Sequence, residues 1–304
     1  MTGSRTSTDW ALFALLSTLW ASAYAMTRGA VETLPVAVVV PGRLLLGASV
    51  LVAFAFLRRE QWPKLSDHKM WGILAAMGMI GTVAPFFLIT TAQETIDSSL
   101  AGLYVSAAPI FVSISAHFLF QEEKMSSTKA LGIGIGFLGV LVLFGPDVIE
   151  HWGSASVFAQ FLLLVATMMY ATSTLIARAA PKISPIIFSA GFLSFGAIFS
   201  LPMLAFVSWG ELAPSTTSVL SVIGLGLGPS AVASLLYPIV VNRAGPTFLS
   251  LTGYVIPILA AIIGWLIYRE VLSWNAYLAF GLIIAGVYVS QQAARPKQAP
   301  SQAE

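Results

Sequence analysis

The chain has 304 residues, of which 9% are charged and 57% hydrophobic, and a net charge of +2; its mean hydropathy is +0.86. A soluble domain of this length carries about a quarter charged residues, so water could not solvate this surface and lipid is the expected solvent. The small, dispersed charge excludes nucleic acid as a partner, and the absence of cysteine excludes disulfides, thiol catalysis and Cys-ligated metals.

A membrane helix needs roughly 20 apolar residues. Runs of that kind, bounded by charge, Gly/Pro clusters or Trp, fall at 10–29, 35–57, 69–92, 98–119, 128–146, 154–177, 185–208, 217–240, 247–268 and 272–291. The pattern predicts an all-α integral membrane protein with ten transmembrane helices. Trp62, Trp71, Trp152, Trp209 and Trp274 lie at or near run ends, where an amphipathic indole sits comfortably at the headgroup level.

Lys and Arg resist translocation and accumulate on the cytoplasmic side. With the N-terminus inside, twelve of the 15 basic residues fall in inner segments, from Arg5 through Arg58, Lys124, Arg178 and Arg243 to Lys297. Only Arg28 and Arg269 fall outside, and Arg43 falls within a span. One missed helix would scramble this alternation, so both termini are expected to be cytoplasmic. The start also has the form of a secretory signal, with Arg5, an apolar run and "ASA" at 21–23, but the apolar run continues past that point. The tail "QQAARPKQAPSQAE" is polar and Pro-punctuated, a composition expected to be disordered.

Within this frame the chain repeats itself. At an offset of 148, "APIFVSISAHFLFQEE" from residue 108 aligns with "IPILAAIIGWLIYREV" from residue 256, superposing Pro109 on Pro257 and Glu122 on Glu270. Gly139 then matches Gly286 at 147, and Tyr24 matches Tyr170 at 146, as does Pro35 with Pro181. Five spans per half is an odd number, so the second copy enters the membrane from the opposite side. Two inverted five-helix repeats mark transporters that alternate access to a midplane site. The expected organisation is a cytoplasmic N-terminus at 1–9, repeats at 10–146 and 154–291 joined by an outer linker at 147–153, and a cytoplasmic tail at 292–304.

With these residues the sequence resembles the drug/metabolite transporter superfamily, and within it the ten-helix EamA-type exporters. The likeness rests on "LWASAYAMTRG" in the first span, Arg43 eight residues after Pro35, "SSLAGLYVSAAPIF" leading to Glu122, and "GFLGVLVL" in the fifth span. "LSLTGYVIPILAAIIGWLIYREVLSW" and "FGLIIAGVYV" repeat the pattern. One similar branch is the YddG-type aromatic amino-acid exporters. The resemblance implies export of amino acids, related metabolites or drugs from a cavity between the first four helices of each repeat, with the fifth helices peripheral. The position matching Arg43 in the second repeat falls near Phe192 or Leu193, so Arg-dependent recognition is expected to be one-sided.

Arg43 lies about 12 Å along its helix from Pro35 at ~1.5 Å per residue, well inside the hydrocarbon, where a charge needs a cavity or a partner. It is a candidate for binding a substrate carboxylate, or alternatively a clamp on helix-end carbonyls or a snorkelling side chain. Tyr24, Tyr104, Tyr170, Tyr237 and Tyr254 lie inside spans and offer a ring face with one polar handle; each is also a candidate interhelix hydrogen bonder. Trp20 joins them as a cavity candidate. Pro109 and Pro257 are candidate hinges, because Pro breaks the helical ladder and the repeat places both at equivalent positions.

Gly134, Gly136 and Gly139 have the spacing of a dinucleotide fingerprint, but they lie inside an apolar span where that fold cannot form. Gly132 and Gly136 instead make a GxxxG face, expected to serve packing within the bundle or self-association. Glu122 and Glu270 belong near helix ends, suited to capping or loop salt bridges. His117 is expected at an interface.

No carboxylate stands at the middle of a span, so weak or indirect proton coupling is expected. No cofactor or metal is expected. HExxH, GxSxG and GxxxxGK[ST] are all absent, which argues against an enzyme or an ATP-driven pump, and no polar filter suggests a channel. The expected partners are a small-molecule substrate and the lipid bilayer.

Overall fold

The computed structural model describes residues 6–119, 125–150, 153–244, 246–249 and 251–292. Glu122, Trp152 and the polar tail from residue 293 onward lie outside them, while Gln291 and Gln292 end the last helix. The described residues are helical, without a strand among them. Polar residues at the run ends set the helix starts, since a side-chain oxygen there can accept a hydrogen bond from a free N–H group. Thr6 caps α1 (Ser7–Val31) in a capping box with Asp9. Asp67 caps α3 (His68–Gly78), Ser154 caps α8 (Ala155–Ala179) and Ser215 caps α10 (Thr216–Leu225).

Among the described residues, eight stretches are long and apolar enough to cross a membrane, from Ser7–Val31 and Val36–Leu57 (α2) to Pro185–Phe206 and Thr216–Val241. Two further helices follow: α13 (Thr252–Tyr268), apolar but 17 residues long, and α14 (Trp274–Gln292). Helices apolar all round must be buried or face lipid. Phe118, Phe158, Leu220 and Leu266 are all more than half exposed, as a multi-pass membrane protein requires.

Several runs that read as single helices are broken, and proline is the usual reason. In the third, a π segment at Met79–Val83 separates α3 from α4 (Ala84–Ala92). In the eighth, a π segment at Gly226–Val232 separates α10 from α11 (Ala233–Ala244). Pro85 and Pro229 have no N–H to offer the carbonyl four residues back, so the ladder must shift locally.

The fourth run divides into α5 (Ser98–Val105) and α6 (Ala108–Leu119), with Pro109 just past the break. Pro257 behaves differently. It lies inside an unbroken α13, and the interruption in that half comes earlier, between α12 (Pro246–Leu249) and α13. The two candidate hinges are therefore not equivalent: Pro257 removes only the intrahelical partner of the Gly253 carbonyl, whereas Pro109 follows a helix end.

The two halves meet through reciprocal contacts. Gly47 on α2 lies against Ser230 and Gly226 of the second π segment. Gly196 on α9 (Pro185–Ser200) lies against Thr82 and Gly78, beside and within the first. Gly47 and Gly196 are 149 apart in sequence, and Gly78 and Gly226 are 148 apart. The same exchange joins α7 (Ser127–Glu150) to α14, where Gly132 and Gly136 approach Gly286, and Gly139 approaches Ala279 and Ile283. In each case the contact occurs twice, with residues 147 to 149 apart in the chain exchanging roles.

The α7–α14 seam shows the first of the two roles expected for Gly132 and Gly136, packing within the bundle. The Gly132 and Gly136 face is buried against α14 of the same chain, where their missing side chains let the backbones touch, so it is not a surface open to self-association. α7 ends its regular course at Gly145, where φ is +54°.

Candidate functional site

A cavity of about 470 Å³ lies between the halves. Its wall is built by α1, α2, α4, α5, α6, α8, α9, α11, α13 and the two π segments; neither α7 nor α14 contributes. Trp20, Tyr24, Arg43 and Tyr170 line it, as do Pro109 and Pro257.

Arg43 is 6% exposed. Its Nε and Nη2 donate to Ser230 Oγ at 3.4 and 3.3 Å, and its guanidinium carbon lies 3.7 Å from the centre of the Phe86 ring. That distance brings the cation onto the negative face of the ring. Among the described residues no carboxylate lies within ion-pair distance of it. The buried charge is thus held by a hydroxyl and a ring face, and its remaining donors are available to an anion. Tyr24 and Tyr170, 146 residues apart in the chain, line the same cavity. Phe192 and Leu193, at the sequence position matching Arg43, line the same cavity, and the second half places no charged residue in its wall.

The hydroxyls in the wall are oriented by their own helices. Thr27 donates to the Ala23 carbonyl at 2.7 Å, Ser106 to Leu103 at 2.6 Å and Ser173 to Tyr170 at 2.9 Å. Thr174, Ser234 and Thr252 donate to Tyr170, Ser230 and Leu249 at 2.9, 2.6 and 2.8 Å. Thr82 donates to Gly78 in the same way. With their protons committed, these oxygens keep lone pairs to offer and act as acceptors. The wall combines one guanidinium, two phenols, aromatic rings and a set of acceptor oxygens.

Three of the tyrosines singled out in the sequence do not line this cavity. Tyr104 is fully buried, donates to Gln160 Oε1 at 2.8 Å and packs edge-on to Phe144, which makes it an interhelix tie between α5 and α8. Tyr237 is 45% exposed and leans on Trp20 with ring centres 6.0 Å apart, outside the wall. Tyr254 packs in the core cluster around Tyr104, its hydroxyl buried with no hydrogen-bond partner among the described residues. One apolar helix presents several faces, and the presence of a tyrosine in a span does not say which face it occupies. Phe86 and Ser230 escaped sequence reasoning because neither stands out in an apolar run; their neighbours Pro85 and Pro229 were the available signal.

At one end of the cavity wall, α5 and α13 are joined by a buried carboxylate. Glu270 accepts from the backbone N–H groups of Ser98 and Ser99 at 3.0 and 2.9 Å, and from both hydroxyls at 2.5 to 3.0 Å. This is a capping role. Nearby, Tyr268 donates to the Ala25 carbonyl at 3.0 Å, Gln93 Nε2 to that of Tyr24 at 3.0 Å, and Arg28 to that of Gln93 at 3.2 Å. Between the spans, partial desolvation by the surrounding helices and then the charge of Glu270 push the Asp97 carboxyl above its ordinary range, with Arg28 opposing; partial desolvation raises the exposed Glu94 too. His117 accepts from the Met125 N–H at 3.0 Å through Nδ1, which ties α6 to the segment before α7. Among the described residues no cluster of His, Asp and Glu could hold a metal.

Comparison with known proteins gives these features a context. The profile of the EamA-like transporter family matches residues 8–145 and 157–291. An uncharacterized transporter of Bacillus subtilis, YdfC, is 29% identical over 90% of this chain and 87% of its own length. The uncharacterized inner membrane transporter YedA of Escherichia coli is 26% identical over 91% and 88%. A solved crystal structure 20% identical in sequence superposes with a TM-score of 0.66, covering 96% of this chain and 100% of the other.

Proposed function

We propose that this chain, which belongs to the EamA-like transporter family, is a secondary carrier that exports amino acids with aromatic or other apolar side chains, or similar small amphipathic metabolites. Transport follows from the family; substrate and direction are our reading. The observation that carries it is Arg43, a buried guanidinium with no carboxylate partner among the described residues, facing a cavity otherwise lined by rings and acceptor oxygens. A carboxylate would complete the guanidinium with charge-assisted hydrogen bonds. An ammonium group would suit the acceptors, and an apolar side chain the rings.

The mode is alternating access, with ten spans as two inverted five-helix repeats, both termini cytoplasmic, rocking about the central cavity. Three observations support it: the family profile matches two stretches of similar length, the helix contacts between halves are reciprocal, and basic residues alternate along the chain. The membrane is the cytoplasmic one, as for the E. coli relative. A multidrug or cation exporter of the same fold is the second reading; Arg43 disfavours cations by like-charge repulsion in a low-dielectric site.

The test is counterflow in proteoliposomes loaded with one unlabelled amino acid at a time. Saturable uptake of the labelled amino acid, absent from empty liposomes, is expected for aromatic and large apolar amino acids. Uptake of organic cations with none of amino acids would overturn the substrate assignment, and a flux that never saturates would overturn the carrier assignment.

A further inference from the structure

Glu270 links parts of the chain 172 and 171 residues apart. It stands just past α13 in the second half and holds the first two residues of α5 in the first. The carboxylate is 9% exposed and takes four donors, two N–H and two O–H. From there toward the cavity the same two helices stay in close contact. Gly264 has no room for a side chain, because Ser99 Oγ and the Glu270 carboxylate fill the place of a Cβ. One turn further in, Gly102 meets Ala260 and the Tyr24 ring. Gly102 and Tyr24 line the cavity, so the seam runs unbroken from cavity wall to clasp. α1 closes its flank through Tyr268 on the Ala25 carbonyl.

We infer that the Glu270 clasp on Ser98 and Ser99 is the outer gate of the carrier, and that its release is the step that opens the cavity to the outside. The sidedness rests on the orientation given above, in which α5 begins and α13 ends at the outer face. The chemistry suits a latch that must both hold and let go. An apolar seal opened to water exposes unsolvated surface, whereas a carboxylate and four donors exchange protein partners for water with little net change. Packed helices switch between discrete arrangements rather than stretching, so α5 and α13 separate as units when this tie breaks.

The sequence repeat also bears on whether the opposite side carries the same four donors. At the offset of 148, Ser98 and Ser99 correspond to Pro246 and Thr247. Pro246 has no N–H, so the opposite end cannot build all four bonds. The clasp biases the carrier toward a state sealed outside, the state in which an exporter loads.

The chain contains no cysteine, so a single introduced thiol reports on access. Thr27→Cys places one on the cavity wall, and a membrane-impermeant maleimide is applied to right-side-out and to inside-out vesicles. Labelling from outside should be slow with Glu270 intact and rise about tenfold with Glu270→Ala, as a shift in a two-state population predicts. Ser98→Ala with Ser99→Ala, which keeps both N–H groups, should give a smaller rise from the same side. This pair decides the matter if Glu270→Ala fails to fold, as judged by a monodisperse elution profile. Unchanged labelling in folded variants would overturn the gate, and a rise confined to inside-out vesicles would overturn its assignment to the outer face. Counterflow of amino acids stands apart from both, so failure of the gate and failure of the transport reading are distinguishable.

Discussion

Arg43 stacks on Phe86, with 3.7 Å between the guanidinium carbon and the ring centre, and the two come from helices α2 and α4 of the same half. The ring replaces part of the hydration that a buried charge loses, and it does so without neutralising the charge. A cation–π contact of this kind contributes about 0.5–2 kcal/mol. Phe86→Leu should therefore raise the half-saturation concentration for transported amino acids by ~2- to 30-fold, with Phe86→Tyr close to the parent. Concentration-dependent counterflow separates this from a loss of maximal rate. An unchanged half-saturation with Leu would show that the ring does not support the site.

Tyr104 provides the contrasting case. It does not line the cavity, and it bonds to Gln160. Tyr104→Phe should lower stability by about 1 kcal/mol, the net worth of a buried hydrogen bond, and leave half-saturation unchanged. Thermal unfolding in detergent alongside counterflow checks both halves of the prediction.

Along the α7–α14 seam, Gly286 lies against Gly132 and Gly136, whereas nothing lies within 4 Å of where a Cβ would sit on Gly134. Gly286→Ala should destabilise by about 1–3 kcal/mol through overpacking. Gly134→Ala should be neutral or slightly stabilising, since Ala is the better helix former by ~1 kcal/mol. Equal effects on Tm would contradict the packing described.

Asp97 predicts a pH dependence. Burial and the neighbouring Glu270 carboxylate raise its pKa in the folded protein. The folded state then binds the proton more tightly than the unfolded chain, so this group lowers stability as pH rises from the ordinary carboxylate range through its folded pKa, and the cost is full above that pKa. Asp97→Asn should raise Tm by about 1–3 °C at pH 7, with the gain fading as pH falls toward the ordinary carboxylate range. A gain that grows at low pH would have the sign wrong.

The membrane character was legible because composition and 20-residue apolar runs are one-dimensional properties. The run starts read at 69, 154 and 217 fall within one residue of the helix starts that Asp67, Ser154 and Ser215 cap. The site was legible only in part. Arg43 stood out because a charge in an apolar run has no cheap explanation, and Tyr24 and Tyr170 were marked as a pair by the repeat. Tyr104, Tyr237 and Tyr254 read the same way in sequence yet face elsewhere, since helices without an amphipathic stripe do not announce which side meets the cavity. The π segments could not be anticipated from Pro85 and Pro229 alone: proline removes a donor, but packing decides whether the helix ends, as near Pro109, widens, or continues, as around Pro257.

The account depends most on Arg43 as the group that receives a substrate carboxylate. The most direct measurement is saturable counterflow of a labelled aromatic amino acid by the parent and by Arg43→Ala, reconstituted at equal density and matched for monodispersity. The account predicts that uptake by Arg43→Ala falls at least tenfold, since a buried charge-assisted pair contributes about 1.5–3 kcal/mol, while the residual flux no longer discriminates the amino acid from its uncharged amide. Equal uptake by the two proteins, with that discrimination intact, would contradict it.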